Sequence, residues 1–188
     1  MKNSNFIPQR GDYRNLLVYQ LGNCIYAMTY AFAHKHLQKG DRTIDQMIQA
    51  ARSGKQNIAE GSVDGNTSVE MEIKLTNVAK GSMQELLNDY EDFLMVRGLE
   101  KWDVSDCRTK QVRKFCRKHM DPKLFIQAVE TRSAETIANI AITMLHQFDY
   151  MITNLIEAQK RRFLQNGGIK EQMYQARKGK NNRNSQSC

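Results

Sequence analysis

The chain has 188 residues, with 28 Lys and Arg against 20 Asp and Glu, and a net charge of +8 at neutral pH. Hydrophobic residues make up 40%, with 11 Gly and only 2 Pro, which excludes collagenous and disordered classes and leaves a chain large enough for one helical core. No uncharged apolar run reaches the roughly 18 residues of a membrane span, and residues 1–20 lack the apolar centre of a secretory signal, so a cytoplasmic protein without membrane association is expected.

In chain order, Leu17, Leu21, Cys24, Met28 and Ala31 step by four and three, the seam of a helix running from Tyr13 to Leu37. Gly40 is its expected stop. Thr43 with Gln46 has the form of a capping box that opens a second helix, buried along Ile44, Met47, Ile48, Ala51 and Ile58 and ended by Gly61. Ser62 to Asn66 read as a loop, with Asp64-Gly65 as its turn signal. A second capping box, Thr67 with Glu70, starts a third helix to about Arg97, with Leu75, Ala79, Ser82 or Met83, Leu86, Tyr90 and Phe93 facing inward. The small pair Gly81-Ser82 in mid-helix predicts a close helix crossing there, since glycine in a helix otherwise costs about 1 kcal/mol.

Residues 98–133 break the pattern. They predict two short helices, one over about Ser105 to His119 and one opened by Asp121-Pro122 as cap and first-turn proline. A long stripe follows, Ile137, Ala141, Met144, Phe148, Met151, Leu155 and Ala158, on a helix from Ala134 to Gln165 that stops at Gly167-Gly168. Four long striped helices bury their stripes most simply as an all-α, antiparallel up-down four-helix bundle, residues 1–168, with a helical insert between bundle helices 3 and 4. Residues 169–188 are expected to be a basic suffix, with a short amphipathic piece over Ile169 to Lys178 and a polar, disordered stretch from Gly179.

Charge is not spread evenly over this plan. Residues 1–97 hold 11 basic and 11 acidic residues, and 134–165 hold 3 of each; the insert carries 9 against 5 and residues 166–188 carry 5 against 1. The whole excess therefore sits on the additions to the bundle, where it predicts a local cationic surface for nucleic acid or an acidic partner.

Three segments resemble a known family. Tyr13-Arg14-Asn15-Leu16-Leu17-Val18-Tyr19-Gln20, Asn57-Ile58-Ala59-Glu60-Gly61 and Ala79-Lys80-Gly81-Ser82-Met83-Gln84-Glu85-Leu86 are similar to motifs of the 23S-rRNA intervening-sequence, or four-helix bundle, protein family. Lys55 and Gln56 stand where that family has proline and serine. The tail from Phe163 to Met173, with Arg177, resembles the C-terminal segment of its "four helix bundle suffix domain" subgroup. The resemblance implies an antiparallel bundle, a ring-like homo-oligomer, often a pentamer, and a distant likeness to the accessory variability determinant of diversity-generating retroelements. That relative binds nucleic acid and a reverse transcriptase.

Lys110, Arg113, Lys114, Arg117 and Lys118 fall on one face of the first insert helix, opposite Val112, Phe115, Cys116 and His119. With Arg108, residues 107–118 carry six positive charges and no negative one. Five cations on one face repel each other and suit a polyanion that releases counterions on binding; a solvated outer face is the competing reading. A second cluster, Lys160, Arg161 and Arg162 with Lys170, Arg177, Lys178, Lys180 and Arg183, extends the patch or complements the end of the long helix. Neither cluster is interleaved with aromatics, so backbone phosphate contact with little sequence preference is the expected mode.

Other polar residues read as structural. Asn57 and Glu60 are expected to fix the turn after the second helix rather than form a catalytic pair, and His34 and His36 to be surface residues. Cys107, Cys116 and His119 lack zinc-ligand spacing, and the four scattered cysteines read as reduced thiols, so neither metal nor cofactor is expected. No nucleophile elbow, phosphate loop or dinucleotide fingerprint occurs. The reading is of a non-enzymatic, oligomeric, nucleic-acid-binding accessory protein, RNA or DNA. The alternative is an interaction scaffold that docks an acidic partner, such as a reverse transcriptase, without touching nucleic acid.

Overall fold

The structure, a computed structural model, describes residues 12–64, 68–168, 171 and 174. It opens on a 3-10 turn, Tyr13–Asn15, capped by Asp12, whose carboxylate accepts the Arg14 N–H at 3.0 Å. Within residues 12–168 as described, six α-helices follow: α1 (Leu17–His36), α2 (Arg42–Asp64), α3 (Val69–Val96), α4 (Cys107–Cys116), α5 (Pro122–Thr131) and α6 (Ala134–Asn166). Among the described residues the protein is an all-helical bundle without strands, and no helix is long and apolar enough to cross a membrane.

The first expected helix is thus split. Leu16 turns extended after the 3-10 turn, so α1 starts at Leu17, which is 60% exposed, and Val18 takes the inward place. Caps account for the next shifts. Asp41, not Thr43, opens α2: its carboxylate accepts the Thr43 N–H at 2.9 Å, and that bond holds the Asp41 pKa below the usual carboxylate range. Ser68 caps α3 by accepting the Met71 N–H at 3.2 Å, while Thr67 lies outside the described residues. Gly61 does not end α2, which continues to Asp64. A Cβ there would meet the Glu72 carbonyl at 3.3 Å, so the glycine lets α2 and α3 approach. The close crossing expected at Gly81-Ser82 does occur there, with the Ser82 hydroxyl 3.0 Å from that of Ser53 and a Cβ at Gly54 coming within 2.6 Å of Met83, but Gly81 takes no part in it and has open space beside it. Gly167 does stop α6, at a φ of +66° that favours glycine.

α1 packs on α2, α5 and α6, and α3 packs on α2 and α6. Between them Phe32 meets Phe93 edge-on at 4.9 Å and Tyr90 at 5.1 Å, and the Tyr90 hydroxyl donates to Thr29 at 3.0 Å. Each such buried side chain contributes about 1.5–3 kcal/mol. Along α6 the stripe drifts from expectation. Ile137, Ala141, Met144 and Phe148 are fully buried, but the seam continues through Ile152, Ile156 and Gln159, leaving Met151 and Leu155 half-buried and Ala158 exposed. The steps of 4, 4 and 3 replace 3, 4 and 3, as a straight 3.6-residue helix requires over this length.

The insert packs on its own chain. Asn139 of α6 accepts the Trp102 N–H at 2.7 Å and donates to the Glu100 carbonyl at 2.8 Å, pinning the segment that leads from α3 to α4. Lys35 of α1 donates to the Val129 and Glu130 carbonyls, both at 2.9 Å, and so satisfies the end of α5.

Candidate nucleic-acid interface

α4 is a two-sided helix. Asp106 caps it by accepting the Arg108 N–H at 2.7 Å, and Thr109 ties its first turn to the Asp103 carbonyl at 3.0 Å. Thr109 and Cys116 are buried and Val112 is half-buried, while Phe115 is 43% exposed and His119 is exposed, so the inward stripe is narrower than its sequence implies. On its outer side Lys110 and Lys114 are exposed and Arg113 is half-buried; α4 ends at Cys116 rather than at His119, so Arg117 and Lys118, both exposed, lie in the turn that follows. None of these five has an ion pair with a described residue.

Arg113 and Arg117 line a groove of about 390 Å³ against His146, Gln147, Tyr150 and Met151 of α6. Its register is set by Gln147, whose amide donates to the Arg113 carbonyl at 3.2 Å. The Gln147 Oε1 is buried and has no hydrogen-bond partner among the described residues. Tyr150 is 70% exposed beside the two guanidiniums. This supplies the aromatic missing from the linear pattern: it comes from a helix 33 positions away in the chain from Arg117, so no local spacing announces it. His146, Gln147 and Tyr150 were not legible as site residues. The only signal was that Tyr150 is a large aromatic off the apolar stripe of α6.

The other expected cations part company with this face. Arg108 donates to Asp106 at 2.7 Å and to Glu100 at 3.1 Å and lies 4.7 Å over the Trp102 ring. Its side-chain and backbone bonds hold the Asp106 pKa down at about 2. Lys160 pairs with Glu157 at 2.8 Å, Arg162 turns inward to Glu72, and Arg161 alone of that triplet is exposed without an ion pair among the described residues. Lys160 lies 13 residues beyond Gln147, about 20 Å along α6 at 1.5 Å per residue. Lys170, Arg177, Lys178, Lys180 and Arg183 lie outside the described residues.

No family model matches the chain, and no curated protein or solved structure is significantly similar to it. The functional reading therefore rests on this geometry.

The remaining polar candidates do not converge. Asn57 sits within α2, not at its end, and donates to the Ser53 carbonyl at 2.9 Å, whereas Glu60 is exposed and accepts from Gln56 at 3.4 Å. They fix no turn into α3, because α2 runs on to Asp64. Cys24, Cys107 and Cys116 are free thiols, and burial pushes Cys24 and Cys116 up to about 12. Cys107 and Cys116 stand at opposite ends of α4, and among the described residues no cluster of His, Cys, Asp or Glu is arranged to hold a metal ion. His34 is exposed as expected, but His36 is half-buried against Phe32 at 5.2 Å with its Nε2 unpartnered, and burial together with Lys35 lowers its pKa.

Proposed function

We propose that this protein is a non-enzymatic, oligomeric accessory protein that grips the phosphate backbone of nucleic acid along α4. The observation that carries the reading is a run of five cations, Lys110, Arg113 and Lys114 on the outer face of α4 and Arg117 and Lys118 in the turn after it, with no ion pair among the described residues, beside a groove that holds His146 and Tyr150. Cations with carboxylate partners in their own chain have a structural role; five close like charges without one are mutually repulsive and gain most from a polyanion. The groove sharpens the mode. Phosphates sit between Arg113 and Arg117, and Tyr150 offers a face on which an unpaired base stacks, which favours single strands or looped RNA over duplex.

The same reading includes the finer architecture. α1, α2, α3 and α6 form an antiparallel up-down four-helix bundle, supported by the packing of α1 and α3 each on both α2 and α6. The kinship suggested by the sequence motifs, a cytoplasmic location and a homo-oligomer, pentameric by that resemblance, belong to the proposal too. Several modest patches on one particle act at high effective concentration.

Anisotropy titrations of labelled single strands, structured RNA and duplex DNA at several salt concentrations test it. Five phosphate contacts predict that log K falls with log salt with a slope of about −3.5 on single strands and about −4.5 on duplex. The variant R113E/K114E/R117E/K118E is expected to lose at least about 100-fold in affinity. Absence of binding at low salt, or affinity indifferent to salt, refutes the reading; an acidic protein retained by α4 after nuclease treatment would replace it with protein docking.

A further inference from the structure

A larger chamber opens on the other side of α4 from the groove. It holds about 470 Å³ and is walled by Trp102, Val112, Phe115, Leu124 and Ile140, from the connecting segment and from α4, α5 and α6. That volume lies within the roughly 300–1,000 Å³ of small-molecule sites. Phe115 and Leu124 remain 43% and 37% exposed, so apolar surface faces water where a ligand would cover it.

Two guanidiniums reach this chamber and they are not equivalent. Arg108 is held by Asp106 and Glu100 over the Trp102 ring, so its charge is compensated and it serves as a fixed wall. Arg132, just past the end of α5, has no ion pair with a described residue, and the Gln111 amide at the same cavity has no hydrogen-bond partner among them. An inorganic anion gains nothing from apolar walls, and a neutral lipid leaves the cation uncompensated. Cys116, which also lines the chamber, is buried, and burial pushes its thiol up to about 12.

We propose that this chamber binds a small amphipathic carboxylate, its ring or chain packed against Trp102, Phe115 and Leu124 and its carboxylate on Arg132 and Gln111. The site is independent of nucleic-acid binding by the outer face of α4.

Trp102 is the only tryptophan of the chain, so its emission reports on occupancy directly. The full-length protein is titrated with 4-phenylbutyrate and with the uncharged amide of the same acid. Saturable binding of one molecule per chain is expected, with the carboxylate preferred about five- to tenfold at low salt. Arg132→Gln, at an exposed position that leaves the fold intact, is expected to abolish that preference and to leave the affinity for the amide within about twofold. Ala128→Phe, which fills the chamber, should remove both responses. R113E/K114E/R117E/K118E should bind the carboxylate as the unaltered protein does, whether or not nucleic-acid binding is found. The proposal fails if neither compound gives a saturable change at millimolar concentration, if acid and amide bind alike, if Arg132→Gln keeps the preference, or if the charge reversal on α4 abolishes binding.

Discussion

Two regions of this molecule carry concentrated charge, and they use it in opposite ways. Where α3 meets the end of α6, Glu72 is buried, takes Arg162 as its ion pair, and accepts from Gln159 at 3.1 Å; Gln159 also donates to Thr76 at 3.0 Å. Along α4 and the turn after it five cations have no acid paired with them among the described residues. A charge that the fold desolvates must be paired within the fold, because an isolated buried ion costs several kcal/mol. A charge left in water has no such requirement, so pairing within the fold does not constrain the run of one sign along α4.

The sharpest way to break that contrast is to delete the buried acid. Glu72→Ala removes the carboxylate from the partly exposed Arg162 and one of the two acceptors of the Gln159 amide, and is expected to cost about 1–3 kcal/mol in urea unfolding, whereas the fourfold charge reversal along α4 should leave stability within about 0.5 kcal/mol. If the reversal were as costly as the deletion, the α4 cations would be structural after all. Next comes Tyr150→Ala, expected to lower single-strand affinity about tenfold without moving duplex affinity or stability, as read by paired anisotropy and thermal melts. Equal losses on single and double strands would remove the stacking role and leave phosphate contact alone.

Smaller effects test the fold around these regions. Gly81→Ala should stabilise the protein by about 0.5–1 kcal/mol in denaturant titration, because the added Cβ meets nothing within 4 Å and mid-helix glycine is unfavourable. Acidification should act through His36. Its folded pKa lies below the ordinary value, so the unfolded chain binds the proton more readily, and stability falls as pH drops through about 6.5. Thermal midpoints measured between pH 7.5 and 5.5 should decline, and less steeply in His36→Phe.

Helix identity was legible because apolar spacing and caps are local. Asp121 opens α5 as the expected cap, α4 starts within two residues of its expected position, and α6 ends within one residue of its expected limit. The errors arose where a neighbouring helix decides. Gly61 and Gly81 look alike in sequence, yet one is pressed against the Glu72 carbonyl and the other faces open space. Arg108 and Arg113 belong to one basic run, yet Asp106 and Glu100 take up the first and leave the second to the groove.

By itself the sequence determined the helical class, the break in the pattern at residues 98–133 and the confinement of the net charge of +8 to residues 98–133 and 166–188, because periodicity, capping and composition are properties of short stretches. The tertiary structure alone decided which cations lack an ion pair among the described residues, that Tyr150 and His146 join Arg113 and Arg117, and that Arg132 opens on an apolar chamber. Those facts depend on distances between residues remote in the chain, and no local pattern encodes them.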